Sequence, residues 1–195
     1  MTEDRRAKLS LLQQSTFGTG VNAQHGGSSR TGHRKTSRPL EPTLPLYVVL
    51  RSSRARGKWS LARPPIRTAV KETLRALAVR HGIKVFEFSN GGDQVHMLLR
   101  AQSRASFQAF LRAFAGLVAR QVTGARKGKP SGRFWDTLTY SRVLKWGEEF
   151  DLVRGFLAGG DLDALALLHQ PPKTPTKRGP SARAGGANGG SAARR

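Results

Sequence analysis

The chain has 195 residues, of which 34 are Lys or Arg and only 12 Asp or Glu, giving a formal net charge of +22. A positive field of that size draws in polyanions and speeds their encounter, so it argues against an ordinary soluble enzyme and makes DNA or RNA the leading partner. The absence of cysteine excludes a disulfide framework and a thiolate metal site, which suits a cytoplasmic location.

The length predicts one domain of roughly 110 to 130 residues with tails. No apolar stretch is long enough to cross a membrane, and the N-terminus MTEDRRAKLSLLQQS has no uninterrupted apolar run of the kind a secretory signal needs. Residues 1–45 read as an extended basic arm, because 18–45 are Gly, Ser, Thr, Pro and basic residues with little apolar periodicity. Leu46 to Leu50 is a short apolar run between Pro45 and Arg51-Ser52-Ser53, and predicts a buried strand.

Residues 64–81 place Ile66, Val70, Leu74, Leu77 and Ala78 at helical spacing, behind Pro64-Pro65 and ahead of Gly82. Two apolar segments, Ile83–Phe88 and Gln94–Arg100, flank Ser89-Asn90-Gly91-Gly92-Asp93 and predict a β-hairpin. Residues 104–122 carry the clearest amphipathic stripe, from Phe107 through Phe110, Leu111, Phe114 and Val118 to Val122. A cationic loop over 124–133, a strand over Leu138–Leu144 and a last helix over Glu148–Leu157 complete a domain over 46–165. Residues 166–195, with six Lys or Arg from Lys173 onward and no acid there, read as a disordered basic tail. The order β-α-β-β-α-β-α predicts an α+β, ferredoxin-like split βαβ sandwich, its antiparallel sheet covered by helices on one face and open to a ligand on the other.

Strand alternation sets Gln94, His96 and Leu98 on one face, so two polar side chains point the same way. The segment Gly91-Gly92-Asp93-Gln94-Val95-His96-Met97-Leu98-Leu99 resembles the strand that carries the His-hydrophobic-His signature of the single-tyrosine HUH transposases, which include the REP-associated tyrosine transposases of bacteria. The resemblance covers about 38–160 and takes in Arg38-Pro39-Leu40, Leu46 to Leu50, the Phe107 helix, Arg133-Phe134-Trp135-Asp136 and Glu148-Glu149-Phe150. It implies single-stranded DNA cut by a tyrosine on the last helix, with two strand histidines helping to hold Mg²⁺ or Mn²⁺, and a homodimer as in many relatives.

The departures fall where that chemistry would sit. Gln94 stands at the first histidine position, leaving His96 of the pair; Phe156 stands at the nucleophile position and has no hydroxyl; Gly160 stands one turn on, where the resemblance implies a polar metal ligand in some relatives. Gln94 could still offer a carbonyl oxygen to a hard ion beside His96. Tyr140 is the weak substitute nucleophile.

Binding should outlast such losses. Arg51, Arg54, Arg56, Lys58, Arg126, Lys127, Lys129 and Arg133 gather around the predicted loops, interleaved with Trp59, Phe134 and Trp135. Cations beside aromatic faces suit single-strand recognition; the alternative is that the rings are core residues and the charges a solvated face. Three readings follow: a DNA-binding transposase relative for hairpins or single strands with reduced or lost cleavage, an active transposase with an unusual nucleophile or metal site, and an RNA-binding or nucleoid-type accessory protein.

Overall fold

The computed structural model describes residues 37–162 without a break, together with Ala7, residues 24–27 and Leu165. The predicted disordered tail over 166–195 and most of the arm lie outside the described residues. Within them the chain runs β1 (Gln24–His25), β2 (Leu46–Arg51), α1 (Pro64–Arg80), β3 (Ile83–Asn90), β4 (Gln94–Ala101), α2 (Arg104–Thr123), β5 (Tyr140–Val143) and α3 (Glu148–Gly159). The sheet order is β1-β5-β2-β4-β3, and every neighbouring pair is antiparallel. Without β1 the order is that of the predicted ferredoxin-like split βαβ fold.

Each helix shows its local cause. α1 starts on two prolines, whose missing N–H groups would be unpaired there in any case. α2 is capped by Ser103, whose side chain accepts from the Ser106 N–H, and ends on Gly124 in the left-handed region. α3 begins with Glu148, Glu149 and Asp151 against its positive end, and Gly160 closes it at φ 72°. That glycine is therefore a helix terminator, at the position where the resemblance leads one to expect a polar ligand.

The two faces of the sheet bury different partners. Leu46, Val48, Leu50, Val95, Met97 and Leu99 meet the apolar stripes of α1 and α2, with Phe107, Phe110 and Phe114 fully buried. Tyr47, Val49 and Leu98 meet α3 through Phe150, Val153, Phe156 and Leu157. This corrects the expectation that all helices lie on one face and leave the other open. The reason was present in β2, where five consecutive residues are apolar or aromatic and buried. A strand of that kind needs cover on both sides.

The arm contributes an edge strand. Gln24 and His25 pair with Arg142 and Ser141, and Gly26 turns at φ 80°, where a Cβ would come 2.1 Å from the Thr139 carbonyl oxygen. Only glycine allows the backbones to approach so closely.

Candidate nucleic-acid interface

Three loops meet at the end of the sheet where β2 finishes and β4 begins. The Ser52 N–H donates to the Asp93 carbonyl and the Leu61 N–H to the Gly92 carbonyl at 2.8 Å each, sewing the β2–α1 loop to the hairpin turn. Asn90 adds an Nδ2 bond to the Leu61 carbonyl at 2.8 Å. The α2–β5 loop is tied in by Asp136, whose two carboxylate oxygens both accept from the Ser53 N–H at 2.9 Å. Arg54 reaches across with Nη1 to the carbonyls of Ser131 (2.8 Å) and Arg133 (2.7 Å).

This scaffold brings the two predicted cationic clusters together. Arg51, Arg56, Lys58, Arg126, Lys127, Lys129 and Arg133 are all exposed on it. Arg126 and Lys129 exchange backbone hydrogen bonds across a tight turn that puts Lys127 at its tip. The acids nearby have structural duties: Asp136 holds Ser53, and Asp93 lies 3.9 Å from Arg51. Positive charge therefore dominates this end.

Three of the predicted contacts have other roles. Arg54 spends its guanidinium as a clamp on two carbonyls and lies 4.9 Å from the Trp59 ring centre. Trp59 is half-buried against the core, with the Lys58 ammonium 5.7 Å from the same ring. Trp135 donates its indole N–H to the Ala115 carbonyl at 2.9 Å and packs on the same core, while Phe134 is buried beside it. These rings pin the loops to the body, so stacking on bases by Trp59 and Trp135 is not what the geometry favours. Trp146, unremarked in the sequence, is the more exposed ring at 45%; its indole N–H is held by the Thr43 carbonyl.

The face bearing Gln94, His96 and Phe156 is a second environment. The register sets His96 beside Val49, and its Nδ1 lies 2.7 Å from the Tyr47 hydroxyl. Leu98 and Phe156 belong to one apolar cluster over this face, so strand and last helix do meet as the resemblance implies. The surroundings are closed and mostly apolar, with the Tyr47 hydroxyl and the buried Arg142 as their polar members. His96 is 0% exposed and Phe156 3%.

The divalent ion implied by the resemblance does not fit here. One ring nitrogen of His96 is engaged by Tyr47, the buried Arg142 sets a cation opposite Tyr47 on the same face, and among the described residues no three His, Cys, Asp or Glu side chains gather as ligands. Gln94 and His96 thus form no hard-ion site, since Mg²⁺ and Mn²⁺ favour several oxygen ligands and water.

Tyr140 is no better placed as a nucleophile. Its hydroxyl donates to Gln24 Oε1 at 3.2 Å, and only 2% of the residue is exposed. Burial pushes its phenol up to about 12, with Arg142 pulling the other way; burial and Tyr140 together raise Tyr47 well above the ordinary value. Arg142 is itself buried on this face. Alternation puts Tyr47 and Arg142 each on one face of its strand, but the register that sets Arg142 opposite Tyr47 and brings Tyr47 to His96 could not be read from sequence.

The raised phenol has a consequence for stability. The folded state keeps its proton above the unfolded value near 10, so the contribution is complete below about pH 10 and lost as pH rises through about 12. Over that window the loss should approach 3 kcal/mol, at about 1.4 kcal/mol per unit. Urea unfolding at pH 9 and pH 11.5 should show a markedly smaller alkaline loss for Tyr140→Phe than for the parent; equal losses would refute the coupling.

Comparisons with known proteins bear on the fold. No protein-family model matches the sequence, and no curated protein does. A solved structure of a REP-associated tyrosine transposase bound to a REP hairpin is similar, with a TM-score of 0.50 and 5% identity over 67% of this chain and 73% of that one. A structure described as a transposase candidate from Deinococcus radiodurans R1 matches with a TM-score of 0.41 and 17% identity, over 71% of this chain and all of that one. The likeness to the REP-associated transposase structure is one of fold. Among the described residues no helix is long and apolar enough to cross a membrane.

Proposed function

We propose that this chain is a DNA-binding relative of the HUH transposases that recognises hairpin or single-stranded DNA and has reduced or lost strand cleavage. The observation that carries the reading is the cationic end of the domain, where seven exposed Lys and Arg residues stand at the end of β2 and on loops cross-braced by Arg54, Asp136 and Asn90. A braced, water-facing set of cations neutralises phosphates at little further ordering cost. The hairpin is suggested by the DNA in the similar transposase structure. Loss of cleavage is supported by Phe156, which has no hydroxyl, and by the burial of His96 and Tyr140.

The test is titration of a labelled DNA hairpin with single-stranded flanks over a salt series, read by fluorescence anisotropy, against RNA of the same sequence as competitor. The expected result is a dissociation constant that rises steeply with salt, with DNA preferred. Preferential displacement by RNA would favour the accessory-protein reading instead.

A further inference from the structure

Helix α1 carries four cations at successive one-turn steps: Arg63 at its N-cap, then Arg67, Lys71 and Arg75, all exposed. Steps of four residues advance about 6 Å and turn about 40° beyond a full turn each, so these charges form a slanting ridge that winds part-way round the helix. The ridge works against its own helix. Like charges at this spacing repel, a cation at the N-cap opposes the positive end of the helix dipole, and no acid stands in the first turn to relieve it. Glu72 is the acid beside the ridge.

The ridge is joined to the loop end, since Arg63 Nη1 donates to the Lys58 carbonyl at 2.8 Å. On its other side lies a groove of about 670 Å³ whose wall is Arg67, Lys71 and Arg75 and whose lining includes Val79, Phe86 and Phe88. Val79, the next one-turn step after Arg75, is a β-branched apolar residue left 85% exposed. The groove follows β3, the edge strand opposite β1, and Glu87 is its acid.

We infer that the α1 ridge and the β3 groove form a second binding track, which takes the phosphate backbone of a single-stranded DNA segment running on from the loop end. Phosphates lie along Arg67, Lys71 and Arg75, and the apolar lining offers its surface to sugars and bases, the combination that single-strand binding uses. A polyanion on the ridge also relieves the repulsion built into the helix. The inference rests on the DNA-binding reading above.

The experiment compares a bare hairpin with the same hairpin carrying a single-stranded thymidine extension of about ten nucleotides. Proteins are the parent, the ridge variant R67E/K71E/R75E, its neutral counterpart R67Q/K71Q/R75Q, and a charge-matched control R112E/R120E/R154E. The parent should bind the extended hairpin at least about tenfold tighter than the bare one, with a log–log salt slope steeper by about 2, as three single-strand phosphate contacts require. Both ridge variants should lose that gain, and R67Q/K71Q/R75Q should melt no lower than the parent, because repulsion along the helix has been removed. On the bare hairpin, R67E/K71E/R75E should match the control.

Tight bare-hairpin binding without any gain from the extension would overturn the track and leave the loop-end reading standing. Retention of the gain by the ridge variants, or its equal loss in the control, would also overturn it. Preference of the ridge for polyglutamate over the extension would assign it to an acidic protein instead. If the parent binds neither DNA, both readings fail together.

Discussion

Replacing Arg56, Lys58, Lys127 and Lys129 together with alanine should weaken hairpin binding by about 10² to 10³ near physiological salt and flatten the log–log salt slope by about 3. The four side chains are exposed and none braces the loops, which are held by Arg54, Asn90 and Asp136. Surface substitutions of this kind leave the fold nearly untouched. Binding and stability should therefore separate, with anisotropy reading the first and thermal melting the second. An unchanged salt slope would mean that the loop end does not meet phosphate. The uniformity of the loss also matters, since phosphate contacts carry no sequence information and the variant should weaken unrelated hairpins alike.

Phe156→Ala should destabilise the domain by about 3 to 5 kcal/mol, a large share of the 5 to 15 kcal/mol that typical domains possess. Phe156 is 3% exposed and sits with Phe150, Val153 and Leu157 on the stripe that fastens α3 to the sheet. Truncation leaves a cavity between Leu98 and the helix, and the loss should appear as a fall of roughly 10 °C in melting temperature. Phe156→Tyr is the informative companion. A nucleophilic position should accept the hydroxyl at no cost, whereas a closed core position should be destabilised by about 1 to 3 kcal/mol through a buried, poorly paired hydroxyl. The closed environment of His96 and Leu98 predicts the second outcome.

Much of the fold was legible because the apolar periodicities are strong. The stripe from Phe107 to Val122 and the glycine-rich turn between the hairpin strands fall within a few residues of α2, β3 and β4. The strand at Gln24–His25 was not legible, because two residues carry no period and the pairing with β5 depends on Gly26 packing against Thr139. The position of α3 was misjudged for a different reason. Its own stripe says only that one side is buried, while the decision lies in Tyr47, Val49 and Leu98, which turn a second apolar face toward it.

The candidate site divides in the same way. Exposed cations on loops are visible in a sequence, since charge and turn formers suffice to place them. Roles fixed by long-range partners are not: Arg54 clamps residues nearly 80 positions away, and Trp135 is committed to a carbonyl on α2. Tyr47 and His96 likewise meet only because β2 and β4 adopt one register out of several.

The most direct measurement is a single incubation of the protein with a labelled hairpin in Mn²⁺, divided between a native gel and an SDS gel. Retarded DNA in the native lane, with intact and protein-free DNA in the SDS lane, is the predicted result. A metal-dependent band that survives SDS, or no retardation at all, would contradict binding through the cationic end with the chemistry beneath Phe156 closed.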